Sequence, residues 1–226
     1  MAHREAKDAL FDQLSVVAKA LGNGRRAELV DILAQGERSV EELAAEIDQS
    51  MANTSSHLQV LARAGLVTGQ RAGHRVLYRL TSERVAELWA AVRDVAARHV
   101  AGFSEVADAY LGPRQGIEVI SRNELADRLQ RGPVVLLDVR PKAEFEAGHI
   151  PGAQWVDPTR LYEQVRLVPR DAEVVAYCRG DYCAYACETI RALTADGIRA
   201  ARLEEGFPEW RRAGFSVAEP EGSNER

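Results

Sequence analysis

Neither proline nor cysteine occurs in the first 112 residues of this chain. All eight prolines lie at Pro113 or later, and the three cysteines fall within positions 178–187. Proline in a helix interior costs ~3 kcal/mol, so the proline-free stretch 1–112 is expected to be mainly helical. Three clustered cysteines, an odd number, argue against a secreted disulfide framework. Long apolar runs are missing as well. Aliphatic stretches such as Val134-Val135-Leu136-Leu137 fall far short of the ~20 residues that span a bilayer. The N-terminal region, with His3, Arg4, Glu5, Lys7 and Asp8, lacks the apolar core of a signal peptide, so a cytoplasmic chain with no membrane partner is expected. The net charge of −5 excludes a global attraction to polyanions, and any nucleic acid must be met by a local patch. What remains is globular in proportion: 226 residues, 46% hydrophobic and 28% charged.

The breaker cluster Tyr110-Leu111-Gly112-Pro113-Arg114-Gln115-Gly116 predicts a boundary near residue 112, giving domains 1–112 and 113–226. A polar tail from Glu219 to Arg226 is expected to fray. In the first part, Ala6, Leu10, Phe11, Leu14, Val17, Ala18 and Leu21 keep the 3-4 spacing of an amphipathic helix, stopped by Gly22-Asn23-Gly24. A second helix, Arg25–Ala34, turns Leu29, Ile32 and Leu33 inward. Ser39 followed by Glu42 predicts a capping box opening a third helix through Leu43, Ala44 and Ile47. A fourth, Asn53–Ala64, buries Leu58 and Leu61 and ends at Gly65-Leu66-Val67. Val67–Arg71 and Arg75–Leu80 read as a hairpin around Ala72-Gly73-His74. One long helix, Thr81–Tyr110, with an apolar line through Leu88, Val92, Val95 and Phe103, completes a winged helix-turn-helix.

Charge agrees with DNA as the partner of that fold. From Gln49 to Ser82 there is no acidic residue, in a chain that carries 34 of them, while Arg63, Arg71, Arg75, Arg79, His57 and His74 fall there. On the fourth helix, Asn53, Thr54, Ser56, His57 and Gln59 are side chains suited to base edges and phosphates. Arg71, His74 and Arg75 at the hairpin tip suit phosphate or minor-groove contact. Taken singly, such residues would be no more than a solvated helix face and loop; the element order gives them a role.

The run Asn53-Thr54-Ser55-Ser56-His57-Leu58-Gln59-Val60-Leu61-Ala62-Arg63-Ala64-Gly65-Leu66-Val67, with Arg71-Ala72-Gly73-His74-Arg75-Val76-Leu77-Tyr78-Arg79-Leu80 after it, resembles the recognition helix and wing of ArsR-type bacterial repressors. The resemblance covers roughly residues 8–105. It implies a homodimer held by the first and last helices on an inverted-repeat operator in double-stranded DNA. Metal-sensing members commonly carry cysteines before the recognition helix, where Val40-Glu41-Glu42-Leu43-Ala44-Ala45-Glu46-Ile47 has none. Asp94 and His99 on the last helix are an isolated pair, so no metal and no cofactor is expected.

The second part alternates strand and helix. Ser121–Arg131 reads as a helix, Val134–Val139 and Glu173–Tyr177 as buried parallel strands, and Arg199–Leu203 as a third strand. Helical stretches at Lys142–Ala147, Cys183–Asp196 and Pro208–Ala213 intervene, which makes an α/β sandwich on a central parallel sheet. Cys178-Arg179-Gly180-Asp181-Tyr182-Cys183 follows the second strand and feeds a helix N-terminus. Backbone N–H groups and the helix dipole at such a place favour a thiolate, and Arg179 adds positive charge.

Leu137-Asp138-Val139-Arg140, Glu144-Phe145, Gly148-His149-Ile150-Pro151-Gly152-Ala153, Tyr177-Cys178-Arg179 and Leu203-Glu204-Glu205-Gly206-Phe207-Pro208-Glu209-Trp210 resemble the rhodanese family, from Ile117 to about Val217. The resemblance implies that Cys178 takes up a sulfane sulfur as a persulfide. Arg179, Gly180, Asp181, Tyr182 and Cys183 would form its cradle, with Asp138 and Arg140 supporting it from the neighbouring strand end. Phosphatase relatives have a longer loop with an arginine where this chain has Ala184, which favours sulfur over phosphate. Cys183 and Cys187 are candidate resolving thiols, and either is placed to face Cys178.

Three functions compete. The chain is a DNA-binding regulator whose rhodanese-like half senses reactive sulfur, a sulfurtransferase with an accessory winged helix, or a metalloid-responsive repressor using Cys178, Cys183 and Cys187. The DNA-facing residues favour the first, with a sulfur donor and a thiol acceptor as further partners and sulfur transfer as an open role. Since the first half holds no cysteine, a sulfur signal must arise at positions 178–187 and cross the hinge at Gly112–Gly116.

Overall fold

A computed structural model describes residues 2–218; the tail from Glu219 to Arg226 lies outside the described residues. The chain separates into two compact units, Met1–Val100 and Ala101–Arg226.

The first unit runs α1 (Ala2–Leu21), α2 (Gly24–Leu33), β1 (Arg38–Ser39), α3 (Val40–Glu46), α4 (Met51–Arg63), β2 (Val67–Ala72), β3 (Arg75–Leu80) and α5 (Glu83–His99). The capping box forms: the Glu42 N–H donates to the Ser39 hydroxyl, and the Ser39 N–H to the Glu42 carboxylate at 2.7 Å. Ser50 caps α4 two residues earlier than expected, accepting from the Asn53 N–H at 3.2 Å. Gly65 ends that helix in a left-handed conformation (φ 73°), with the Leu66 N–H reaching back to the Leu61 carbonyl. Leu29, Ile32, Leu33, Leu43, Ile47, Leu58 and Leu61 make the core. Each such side chain, fully buried, contributes roughly 1.5–3 kcal/mol. β3 lies between β1 and β2 in an antiparallel sheet, and the β2–β3 hairpin pairs Ala72 with Arg75 across its tip.

The expected long helix is interrupted. α5 stops at His99, Gly102 takes φ 76°, and a separate helix α6 (Phe103–Leu111) belongs to the second unit. The apolar line passes through the break, but a left-handed residue cannot continue an α-helix. The units therefore part between Val100 and Ala101, ahead of the expected boundary at 112.

After α6 come β4 (Glu118–Ile120), α7 (Arg122–Arg131), β5 (Val135–Asp138), α8 (Lys142–Ala147), β6 (Gln154–Trp155), α9 (Leu161–Gln164), β7 (Val174–Tyr177), α10 (Ala184–Ala195), β8 (Ala200–Leu203) and α11 (Phe207–Arg212). The five strands form a parallel sheet in the order β4-β8-β7-β5-β6. Strand alternation sorts the core into two layers. Leu137, Val174 and Ala176 join Leu161 of α9 and Ile190 and Leu193 of α10 on one face. Leu136, Val175 and Tyr177 join Leu125 of α7 and Phe207 and Trp210 of α11 on the other. The carboxyl ends of the neighbouring strands β5 and β7, with Asp138 opposite Tyr177, form the rim on which the thiol loop sits.

Candidate functional site

The DNA-facing candidates lie on α4 and the hairpin. At 100° per residue, Asn53, Ser56, Gln59 and Arg63 share one helical face, and all four are exposed. His57 is half-buried at its edge. Thr54 is a correction: it stands with Leu58 and Leu61 on the opposite face, is fully buried, and donates its hydroxyl to the Ser50 carbonyl at 3.0 Å. The i, i+4, i+7 spacing of Thr54, Leu58 and Leu61 carries that information in the sequence. Arg71, His74 and Arg75 are exposed at the hairpin tip, where Gly73 (φ 61°) makes the turn, and Arg79 is exposed further along β3. Asp94 and His99 sit exposed on α5, with Asp94 paired to Arg98 at 2.7 Å.

In the second unit, Cys178 directly follows β7 and Cys183 precedes the first turn of α10, and the two are joined as a disulfide with Cα atoms 6.1 Å apart. Cys187, one helical turn on, stays a free buried thiol. The loop between the joined cysteines is held along its whole length. The Phe207 N–H donates to the Cys178 carbonyl at 3.1 Å. Arg179 grips the buried carboxylate of Glu144 on α8, its Nε at 3.0 and 3.2 Å and its Nη2 at 2.5 Å. The backbone at Arg179 and Gly180 lies so close to Gly206 that a Cβ there would overlap the Arg179 carbonyl. Asp181 faces Arg202 at 3.3 Å, and the Cys183 N–H donates to the Gly180 carbonyl. Tyr182 meets Phe103 of α6 edge to face.

Asp138 and Arg140 support the rim rather than the sulfur atoms. Both are fully buried and paired: the Arg140 Nη2 donates to the Asp138 carboxylate at 2.6 Å and to the Gly148 carbonyl at 2.7 Å. The guanidinium lies over the Phe207 ring at 4.1 Å, and Trp155 donates its indole N–H to the Arg140 carbonyl. The Tyr177 hydroxyl accepts from the Ile150 N–H at 3.0 Å. Burial, and then the neighbouring Asp138 charge, push the Tyr177 phenol well above its ordinary range, so it stays neutral.

Glu144, Gly206, Phe103 and Arg202 escape a reading that looks for reactive groups, because they act by holding others. Glu144 and Gly206 do lie inside the quoted rhodanese motifs, where a carboxylate beside an aromatic and a glycine before Phe207-Pro208 were the available signals.

A helix-turn-helix domain family matches residues 21–70, and the rhodanese-like domain family matches residues 121–213. The chain is 42% identical over 215 residues to the HTH-type transcriptional regulator Rv0324 of Mycobacterium tuberculosis, covering 95% of this chain and 94% of that protein. It is 31% identical over 108 residues to a sulfurtransferase of Allochromatium vinosum, covering 47% of this chain and 99% of the relative. Among solved structures it is similar to a possible ArsR-family transcriptional regulator of Mycobacterium bovis, the homodimeric winged helix-turn-helix DNA-binding domain (fragment 1-100) of Mb0332. That similarity has 47% identity and a TM-score of 0.40, and covers 42% of this chain and 87% of the other.

Proposed function

Because the chain belongs to the family of the HTH-type transcriptional regulator Rv0324, we propose that it controls transcription in response to sulfane sulfur taken up at Cys178. It is a DNA-binding regulator built of an ArsR-type winged helix-turn-helix unit and a rhodanese-like unit. The observation that carries the sulfur reading is the loop from Cys178 to Cys183, whose backbone and side chains are braced by Glu144, Arg202, Gly206, Phe207 and Phe103. A loop held this fully keeps its N–H groups and the α10 N-terminus arranged to favour a thiolate and the charge of an added sulfur.

On the DNA side, the exposed Asn53, Ser56 and Gln59 support base reading, and Arg71, His74 and Arg75 support contact with phosphates. The regulator works as a homodimer on an inverted repeat in the cytoplasm. Leu10, Phe11 and Leu14 on α1, and Leu88, Val92 and Val95 on α5, are large apolar side chains left exposed in the single chain, which supports pairing through those two helices. Among the described residues no three His, Cys, Asp or Glu side chains are grouped to hold a metal ion, so the metalloid reading gains no support. The Allochromatium vinosum relative supports a second role, transfer of sulfur from thiosulfate or a persulfide to a thiol acceptor.

The test is affinity of the full-length protein for the promoter of its own operon, before and after glutathione persulfide. A change in affinity that Cys178→Ser loses is expected. No affinity in either state at low salt would refute the regulator reading, and equal affinity in both states would refute the sensing.

A further inference from the structure

We propose that Cys183 is the resolving residue of this site, so that sulfane sulfur taken up at Cys178 is reduced, leaves as hydrosulfide, and is recorded as the Cys178–Cys183 disulfide. The proposal rests on the reading of Cys178 as the thiol that accepts sulfur.

Three observations carry it. The first is the pairing itself: the structure joins Cys178 to Cys183 and leaves Cys187 free and buried. The second is that the span between them is held at Arg179 by Glu144, at Asp181 by Arg202 and at Tyr182 by Phe103. Their Cα separation of 6.1 Å lies within the range that a disulfide needs, so the braced loop accommodates the bond. The third is burial. Cys178 is 2% exposed and Cys183 9% exposed, so a persulfide formed here meets the neighbouring thiolate at an effective concentration that no dissolved acceptor reaches.

The chemistry balances without an outside oxidant. The Cys178 thiolate attacks the outer sulfur of a persulfide donor; the donor S–S bond breaks, its thiolate leaves, and Cys178 carries the extra sulfur. The Cys183 thiolate then attacks the Cys178 Sγ. The bond from Sγ to the added sulfur breaks, and that sulfur departs as hydrosulfide with the persulfide proton. Two cysteine thiolates have supplied the two electrons that turn sulfane sulfur into sulfide. Each reduced chain performs this once, and a low-molecular-weight thiol or a dithiol reductase must reopen the disulfide before the next event. The regulator would then hold no sulfur in its signalling state, and its recovery would follow the thiol pool.

The experiment treats fully reduced, full-length protein with one equivalent of glutathione persulfide under anaerobic conditions, and reads intact mass and free sulfide. Wild type should lose two hydrogens and release one sulfide per chain, and so should Cys187→Ser. Cys183→Ser should gain one sulfur atom and release none, and Cys178→Ser should do neither. If wild type keeps the added sulfur on Cys178 and releases no sulfide, the resolving role is wrong while the uptake reading stands. If Cys187→Ser arrests in place of Cys183→Ser, the resolving thiol is misassigned. If wild type takes up no sulfur and stays reduced, the underlying reading falls with the proposal. Should Cys183→Ser fold poorly, fragmentation of the linked peptides from treated wild type decides between Cys183 and Cys187.

Discussion

Tyr182 sets its ring edge to face against Phe103, with centroids 5.3 Å apart and planes at 80°. Tyr182 lies between the two joined cysteines, and Phe103 is the first residue of α6, directly after the left-handed Gly102 and four residues beyond the end of α5. At its other end α6 is held by Arg191 of α10, which donates to the Leu111 and Pro113 carbonyls at 3.1 Å. The first helix of the second unit is thus fastened to the thiol loop and to the helix the loop feeds. Gly112–Gly116 lies within the second compact unit, which begins at Ala101.

Phe103→Ala should therefore separate sensing from response. Sulfur uptake at Cys178, followed by mass, should proceed as in wild type. The difference in operator affinity between reduced and persulfide-treated protein should shrink. Coupling of ~1–3 kcal/mol corresponds to a roughly 5–150-fold change in affinity, well within a binding assay. A Phe103→Ala response as large as that of wild type would mean the signal takes another route.

Substitutions on α4 and the hairpin should divide by kind. Arg75→Ala should weaken binding to all sequences and lower the slope of log affinity against log salt by about one for each lost phosphate contact. Gln59→Ala should change base preference, at ~1–3 kcal/mol for each discriminated base pair. Thr54→Val should leave base preference untouched, because that side chain is fully buried on the helix face that also carries Leu58 and Leu61. A shift in preferred operator for Thr54→Val would return this residue to the DNA-facing set.

The elements legible in the sequence are those with local chemical punctuation. Ser39 and Glu42 announce α3, Gly65 stops α4, and Ala72-Gly73-His74 turns the hairpin. The strands β4 and β6 leave no such mark. Glu118–Ile120 buries only Ile120, and Gln154–Trp155 is too short to show alternation, so both depend on the buried strands β8 and β5 to pair with them. The thiol loop is legible because its motif is compact. Its braces are not, since Glu144 and Arg202 reach it from distant positions and Phe103 lies in what reads as an uninterrupted helix.

Gly206→Ala should abolish sulfur uptake although it removes no reactive group. The added Cβ would overlap the Arg179 carbonyl and come within 2.5 Å of the Gly180 nitrogen, both backbone atoms that cannot swing aside. The loop must shift, and its N–H groups shift with it. Consumption of glutathione persulfide by the reduced protein, measured beside near-wild-type circular dichroism, would show the effect; wild-type consumption would mean that loop position is not limiting.

The buried Asp138–Arg140 pair makes a stability prediction. Asp138→Asn takes away the counter-charge and one of the two oxygens that the fully buried Arg140 guanidinium donates to, leaving an uncompensated buried charge, and breaking such a pair costs roughly 3–5 kcal/mol. The unfolding transition of the second unit should fall accordingly in urea, while operator binding by reduced protein persists. A loss below ~1 kcal/mol would show that water reaches the guanidinium.

Acid sensitivity of the first unit should trace in part to Glu42. The Ser39 N–H holds the Glu42 carboxyl below its ordinary value of 4.5 against the opposing effect of burial, with smaller help from the Ser39 hydroxyl and the charges of Arg38 and Arg75. A carboxyl with a depressed folded-state pKa contributes stability that is present above its unfolded-state value and is lost as pH falls through the folded one. The loss therefore belongs below about pH 4.5, not near neutrality. Glu42→Gln should lower stability at pH 7 and narrow its gap from wild type as the pH drops through that window, because the amide has no charge to lose. Ser39→Ala, which removes the hydroxyl and spares the backbone N–H, should cost about 1 kcal/mol at pH 7. If urea midpoints of wild type and Glu42→Gln run parallel down to pH 3, the capping box contributes nothing through its charge.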